Sequence, residues 1–259
     1  MDESIFWEQI EQVVRLLQRS NHILFISGAG ISADSGLPTY RGVSGLYNNK
    51  TTDEGFSIES ALSGFMFQEN PEITWKYISQ IEETCRGKSY NRGHEVIAEM
   101  ENHFERTCIL TQNVDGFHHK AGSNNIIDIH GNLHDIYCTA CDYQTRVTDY
   151  SELDIPPRCP QCGGLIRPDI VLFDEYLSKH KSAHLENELQ KGFDLVFSIG
   201  TTSVFPYIAQ PVVLAHYSDV PIIEINPVDT RVSEICDIKI ASTAAKTMNA
   251  IWMSFEQIA

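Results

Sequence analysis

Six short, almost wholly apolar runs punctuate the chain and constrain its fold more than any other feature: Ile23–Ile26, Thr107–Leu110, Asn125–Ile129, Asp194–Ile199, Val220–Ile225 and Asp237–Ala241. Apolar runs of this length without polar alternation read as strands buried on both faces. Segments of helical spacing lie between several of them, including Gly93–Phe104 and Tyr207–Tyr217, with a last one from Thr243 to Ile258. Ahead of the first run, Ile5, Phe6, Ile10, Val13, Val14 and Leu17 form a helical stripe with Ser4 as its candidate N-cap. Strands that alternate with helices predict an α/β fold built on a doubly wound parallel sheet.

Two stretches break the alternation. Residues 43–90 carry Gly45, Gly55 and Gly64 among the aromatics Tyr47, Phe56, Phe65, Phe67, Trp75 and Tyr77, and read as a loop leading into a helical module. Residues 137–166 hold four cysteines, Pro156, Pro157 and a double glycine, with no helical period. Both read as insertions that together form a second lobe, and ligands bind readily between such a lobe and the strand ends.

Composition narrows the partners. The 259 residues have a formal net charge of −16, which disfavours nucleic acid and anionic membrane as partners and leaves small ligands and cationic protein segments open. An apolar share of 42% is too high for a disordered chain. No run approaches the roughly 18 apolar residues of a membrane span. Met1-Asp2-Glu3 lacks the basic-then-apolar opening of a secretory signal. A soluble, cytoplasmic protein is expected.

Seven cysteines do not suit a disulfide framework. Four of them make two matched knuckles, Cys138-Thr-Ala-Cys141 and Cys159-Pro-Gln-Cys162. Each knuckle can place both sulfurs on one metal, and two complete a tetrahedron with no open position, which predicts one structural Zn2+. A redox pair or ordinary buried cysteines would not need two matched pairs. Cys85, Cys108 and Cys236 stand alone, the last two in or beside predicted strands as small core residues.

After the first run comes Gly28-Ala29-Gly30-Ile31-Ser32-Ala33, a G-x-G-x-x-A turn at a strand end. Gly28 is expected to allow a tight turn, Gly30 a close approach of backbone to pyrophosphate, and Ala33 close packing of the next segment. Alone this pattern is weak, since strand-to-helix turns often need glycine without a ligand. Its extension, Asp34 to Gly42, is polar and punctuated by Gly and Pro. No apolar strand bearing a ribose-binding acid comes within the next 20 or so residues, so the ordinary dehydrogenase unit is broken.

The chain resembles the sirtuins, the NAD-dependent protein-lysine deacylases. The resemblance rests on GAGISADSGLPTYRG (Gly28–Gly42), TQNVDGFH (Thr111–His118), IHGN (Ile129–Asn132), the paired knuckles, RPDIVLFDE (Arg167–Glu175), SIGTTSVFP (Ser198–Pro206) and EIN (Glu224–Asn226), in family order over most of the chain. It implies a Rossmann-like NAD domain formed by 1–42, 105–135 and 167–259. The smaller lobe would combine a cofactor loop and helical module (43–104) with a zinc ribbon (136–166). By position, Gly28, Ala29 and Gly30 are expected at the cofactor diphosphate. Ala33, Asp34, Pro38, Tyr40 and Arg41 would line the cofactor loop beside the nicotinamide ribose. Gln112, Asn113 and Asp115 would hold nicotinamide and its ribose, and Gly200, Thr201 and Asn226 the adenosine half. His130 matches the general base, Cys138, Cys141, Cys159 and Cys162 hold zinc, and His118, His119 and His134 are read as surface or packing residues.

The implied reaction consumes NAD. An acyl-lysine carbonyl oxygen attacks the nicotinamide ribose as nicotinamide leaves; His130 then deprotonates a ribose hydroxyl, and water completes transfer to O-acyl-ADP-ribose. The loop after Gly42 is the expected lid. Val171, Leu172 and Phe173 resemble the edge that pairs with the substrate by strand addition. An ADP-ribosyltransferase or NAD glycohydrolase on the same fold is the rival reading.

Four departures from the family pattern stand out. Asp174 replaces the usual Gly, either favouring basic peptide flanks or facing solvent. Tyr40 replaces Phe, and the Gly200–Pro206 loop is one residue short. Members that remove acidic acyl groups carry Tyr and Arg three apart on the small-lobe helix, whereas Tyr77 is followed by Gln80. A succinyl carboxylate would lack its bidentate partner, so neutral acyl groups are expected.

Overall fold

The N-terminal stripe folds as α1 (Glu3–Leu17), capped by Asp2, whose carboxylate accepts from the Ser4 backbone N–H. Ser4 lies inside the helix rather than capping it, and Ile5 is exposed, while Phe6, Ile10, Val13, Val14 and Leu17 are buried. The computed structural model describes residues 2–39 and 51–258. β1 (His22–Ser27) turns at Gly28 into the short α2 (Ala29–Ala33). Beyond residue 51 come α3 (Ile58–Ala61), α4 (Gly64–Glu69), α5 (Pro71–Cys85) and α6 (Arg92–Glu101), then β2 (Arg106–Thr111), α7 (Phe117–Ala121) and β3 (Ile126–Asp128). The cysteine-rich stretch is carried by β4 (Gly131–Cys138), β5 (Gln144–Arg146) and β6 (Ile166–Ile170). The chain continues through α8 (Lys179–Gln190), β7 (Leu195–Ile199), α9 (Pro206–Tyr217), β8 (Ile222–Ile225), β9 (Ile238–Ile240) and α10 (Ala244–Glu256).

All six apolar runs become strands of one parallel sheet, ordered β3-β2-β1-β7-β8-β9. Strand order reverses between β1 and β7, the Rossmann arrangement, and a crevice opens at that reversal. Side chains alternate between two cores. Ile23 and Phe25 pack with α1, α6 and α10 on one face, and Leu24 and Ile26 with α8 and α9 on the other. Among the described residues no helix is long and apolar enough to cross a membrane.

The second lobe has its own core. Ile58, Phe67, Trp75 and Ile78 of the helical stretch pack with Leu133, Ile136, Cys138 and Ile166 of the antiparallel sheet β5-β4-β6 and with Tyr150 beyond β5. The buried Trp75 indole N–H donates to the Ile166 carbonyl at 3.0 Å and ties the two insertions together. α6 falls within the 43–104 stretch, yet Val96, Ile97 and Met100 pack in the core of the large sheet.

Candidate functional site

A cavity of about 590 Å³ opens at the reversal, between the strand ends and the second lobe. That size suits a small-molecule site. Its wall gathers Gly28, Ala29, Gly30, Ala33 and Asp34 with Gln112, Asn113, His130, Gly200, Thr201 and Asn226, facing Val171, Leu172 and Phe173. Pro38 and Asp115 line a small neighbouring cavity that shares Ala29, Ile81 and Asn113 with the larger one. Tyr40, Arg41 and the loop after Gly42 lie outside the described residues.

The glycines of the turn also answer to a packing constraint. Gly28 is extended (φ −132°, ψ −172°), a conformation any residue can adopt, so it supplies no special turn. Space forbids a side chain instead: a Cβ on Gly28 would lie 2.8 Å from the Gly200 carbonyl oxygen, and one on Gly30 2.5 Å from Gly200 Cα. Gly200 has φ +59°, which favours glycine, and the Gly30 N–H donates to its carbonyl at 2.8 Å. The turn and the β7 loop therefore meet backbone to backbone. Gly30→Ala is expected to cost about 3 kcal/mol, the upper end of overpacking penalties because the obstruction is main chain, measured as a lowered urea midpoint.

Behind the turn lies a closed polar set. Asp115 is buried, accepting from Ser32 Oγ at 2.7 Å and from the Phe117 N–H at 2.9 Å. Burial pushes its carboxyl above the usual carboxylate range. Asn113 Nδ2 donates to the Gly28 carbonyl at 3.1 Å and to Ser32 Oγ at 3.2 Å. Ser32 thus bridges Asp115 and Asn113, a part that its place in a glycine-rich turn gave no reason to expect. Gln112 Nε2 donates to Thr201 Oγ1 at 2.7 Å, and Asn226 Nδ2 to the Thr201 carbonyl at 3.0 Å.

His130 lies just beyond β3 and opens to the cavity. Its Nδ1 lies 3.1 Å from the Gln112 carbonyl and its Nε2 2.7 Å from the Tyr207 hydroxyl. Burial lowers its pKa to about 4, so the imidazole is neutral near pH 7. His94 is held at about 4 and His118 well below its ordinary value, again by burial. All three bind protons more readily in the unfolded chain. Their stabilising contribution is complete above about pH 6.5 and is lost as pH falls toward the folded values, by up to about 1.4 kcal/mol per pH unit each. Asp115 acts in the opposite sense. Urea midpoints taken between pH 7.5 and 5 should fall, and His94→Gln should flatten that slope.

His118 packs against Ser27 Oγ at 2.9 Å, His134 is buried, and His119 lies 3.7 Å from Asp128 on the surface. Cys108 is core, Cys236 half-buried, and Cys85 lines the small cavity; burial pushes all three thiols up to about 12.

The four knuckle cysteines converge, with all sulfurs within 4.8 Å of one another. Cys138 and Cys162 are 3.5 Å apart and Cys141 and Cys159 3.6 Å. A tetrahedral zinc with bonds of about 2.3 Å separates its sulfurs by roughly 3.8 Å. Backbone N–H groups of Ala140, Gln161 and Gly164 point at three of the sulfurs, as thiolate acceptors require. The donor set fits one structural Zn2+.

Three further features singled out in the sequence have defined surroundings. Asp174 adopts φ +69°, and although exposed its carboxylate accepts from the N–H groups of Gly64 (2.9 Å) and Phe65 (3.3 Å), capping α4. The backbone of Val171–Phe173 is largely committed. Val171 N–H goes to the His130 carbonyl, Leu172 N–H to Glu175, and Phe173 to Leu62 and Gly64. Tyr77 lines neither cavity; its hydroxyl donates to Glu54 at 2.7 Å, and Ile81 is the α5 residue in the wall of the larger cavity.

Residues 28–206 match the Sir2 family. The chain is 44% identical over 242 residues to NAD-dependent protein deacylase 2 of Pseudomonas aeruginosa, covering 92% of this chain and 94% of that protein. It is 36% identical over 217 residues to NAD-dependent protein deacylase 1 of Caldanaerobacter subterraneus subsp. tengcongensis, covering 84% and 87%. Its fold is similar to that of a Sir2 homologue solved in complex with NAD, at 30% identity, 95% and 94% coverage and a TM-score of 0.85. The matched span runs from the glycine turn through His130 and the cysteine module to the start of α9, and the chain belongs to the Sir2 family, the sirtuins.

Proposed function

We propose that the protein is an NAD-dependent protein-lysine deacylase that consumes NAD and yields nicotinamide, O-acyl-ADP-ribose and free lysine. One observation carries this reading. A neutral, half-buried imidazole, His130, shares a cavity wall with the glycine turn and Asn113, at the reversal of a Rossmann sheet. Relatives named for this activity support it.

Gly28, Ala29 and Gly30 present backbone to the diphosphate, with Ala33, Asp34 and Pro38 beside the nicotinamide ribose and Tyr40 and Arg41 completing that loop. Gln112, Asn113 and Asp115 orient nicotinamide and its ribose, and Gly200, Thr201 and Asn226 hold the adenosine half. His130 takes the proton of a ribose hydroxyl. Val171, Leu172 and Phe173 contact the acyl-lysine arm. Zn2+ on Cys138, Cys141, Cys159 and Cys162 supplies structure and no chemistry. Substrates are acyl-lysine proteins or peptides, and the acidic surface suits lysine-rich segments. The thiolate cluster and three further thiols suit a reducing compartment, and we assign the protein to the cytoplasm.

The apolar Ile81 in the wall, with Tyr77 turned to Glu54, supports neutral acyl groups over succinyl. The deciding assay measures NAD-dependent nicotinamide release across acetyl-, longer acyl- and succinyl-lysine peptides, with detection of O-acyl-ADP-ribose. Acetyl-lysine should be preferred to succinyl-lysine by about tenfold or more, the loss of roughly one charge-assisted hydrogen bond. The reverse order would overturn the acyl preference. Nicotinamide release without any acyl peptide would favour the glycohydrolase or ADP-ribosyltransferase.

A further inference from the structure

Tyr207 is not a candidate site residue by sequence, yet its hydroxyl sits on the nitrogen of His130 that matters. The Gln112 carbonyl only accepts, so the ring nitrogen 3.1 Å away, Nδ1, carries the hydrogen. Nε2 then presents its lone pair, and the Tyr207 hydroxyl, 2.7 Å away, donates to it. Pro206 starts α9 and sets Tyr207 in its first turn. The Tyr207 ring stacks on Phe205 (5.4 Å, 11°), and both rings meet the imidazole edge-on at 5.7 and 5.6 Å. All three residues line the cavity.

A substrate hydroxyl reaches Nε2 either by expelling Tyr207 or by passing its proton through it. Expulsion breaks the 2.7 Å bond and undoes the stacking on Phe205; passage keeps both. A phenol hydroxyl can donate and accept at once, as a relay needs. Resting on the reading of His130 as base, we propose that Tyr207 relays the proton from a ribose hydroxyl of NAD to His130. The ribose O–H bond breaks and leaves its electron pair on oxygen, which forms the new bond to the imidate carbon as the C=N π bond breaks and its pair moves onto the lysine nitrogen. That proton goes to the Tyr207 oxygen as the original Tyr207 proton moves to Nε2. Tyr207 ends neutral and His130 ends as imidazolium, so charge and protons balance. Burial pushes the phenol up to about 12, which keeps free phenolate from accumulating between the two transfers.

Tyr207→Phe keeps the ring and its stacking and removes only the hydroxyl. Acyl transfer in a single turnover should fall about 100-fold, while acyl-peptide-dependent exchange of labelled nicotinamide into NAD stays within about twofold. In mixed H2O and D2O the unmodified protein should give a curved proton inventory for acyl transfer, and the variant a linear one. Acyl transfer that is unchanged or faster in Tyr207→Phe would overturn the relay and leave Tyr207 as a cover on the base. Equal loss of exchange and transfer would overturn it in favour of a structural part. Should the variant not fold, a linear inventory in the unmodified protein overturns the relay by itself. Failure of the deacylase reading is distinct, since the unmodified protein would then show no acyl-peptide-dependent exchange.

Discussion

Replacing His130 by alanine is expected to cut formation of O-acyl-ADP-ribose by about 10²–10⁴-fold, the usual contribution of a positioned general base. The effect should fall on one step only. Departure of nicotinamide under attack by the acyl-lysine oxygen needs no proton removed by His130, so exchange of labelled nicotinamide into NAD should persist. The side chains that would hold nicotinamide are independent of the imidazole, because Gln112 bonds Thr201, Asn113 bonds Gly28 and Ser32, and Asp115 bonds Ser32 and Phe117. Removal of the ring frees the Gln112 carbonyl and the Tyr207 hydroxyl at the cavity wall, where water can satisfy both. The fold should survive, with its stability within about 1 kcal/mol of the unmodified protein by urea unfolding. Parallel loss of exchange and transfer in a folded variant would remove His130 from the role of base.

Stripping the metal should have the largest effect on structure. Structural zinc in small modules contributes on the order of 10 kcal/mol of folding free energy. Here the cost reaches beyond the knuckles, because Cys138 and Cys159 pack in the same core as Trp75, Tyr150 and Ile166. A chelator, or Cys159→Ser, should therefore loosen the helical stretch as well as the three-stranded sheet. Trp75 is a convenient reporter: fully buried and bonded to the Ile166 carbonyl, it should shift its emission to the red, with Trp75→Phe as the control. Peptide-dependent turnover should vanish, while the two cores flanking the large sheet, which share no residue with this one, keep most of the helical signal. Unchanged emission and turnover after verified metal loss would show that the cysteines do not depend on zinc.

What the sequence made legible was local in its physics. The strands announced themselves because residues such as Ile23 to Ile26 feed cores on both faces, which leaves no polar alternation to confuse. The knuckles were plain because two-residue spacing is itself the chelate geometry. Non-local features escaped. Asp174 caps a helix 110 residues earlier in the chain, a pairing no window along the sequence contains. The crowding at Gly28 and Gly30 comes from Gly200, far along the chain on the β7 loop. Ser32 and Tyr207 have no distinctive spacing, and their hydrogen bonds to Asp115 and His130 exist only once distant elements meet. Ile5 matched a helical stripe yet is exposed.

The pairing of β1 with β7 also sets an order of events during synthesis. Ile23 takes its central neighbour from Leu195, which is made only after the whole second lobe. Until that stretch leaves the ribosome, β1 can pair on only one side, and its other edge stays open with the apolar Leu24, Phe25 and Ile26 beside it. Long-range parallel pairing of this kind is slow and prone to aggregation. At translation rates of about 5–20 residues per second the open edge persists for roughly ten to thirty seconds, an interval in which the nascent chain needs shielding and in which the second lobe, whose core is complete earlier, can fold first.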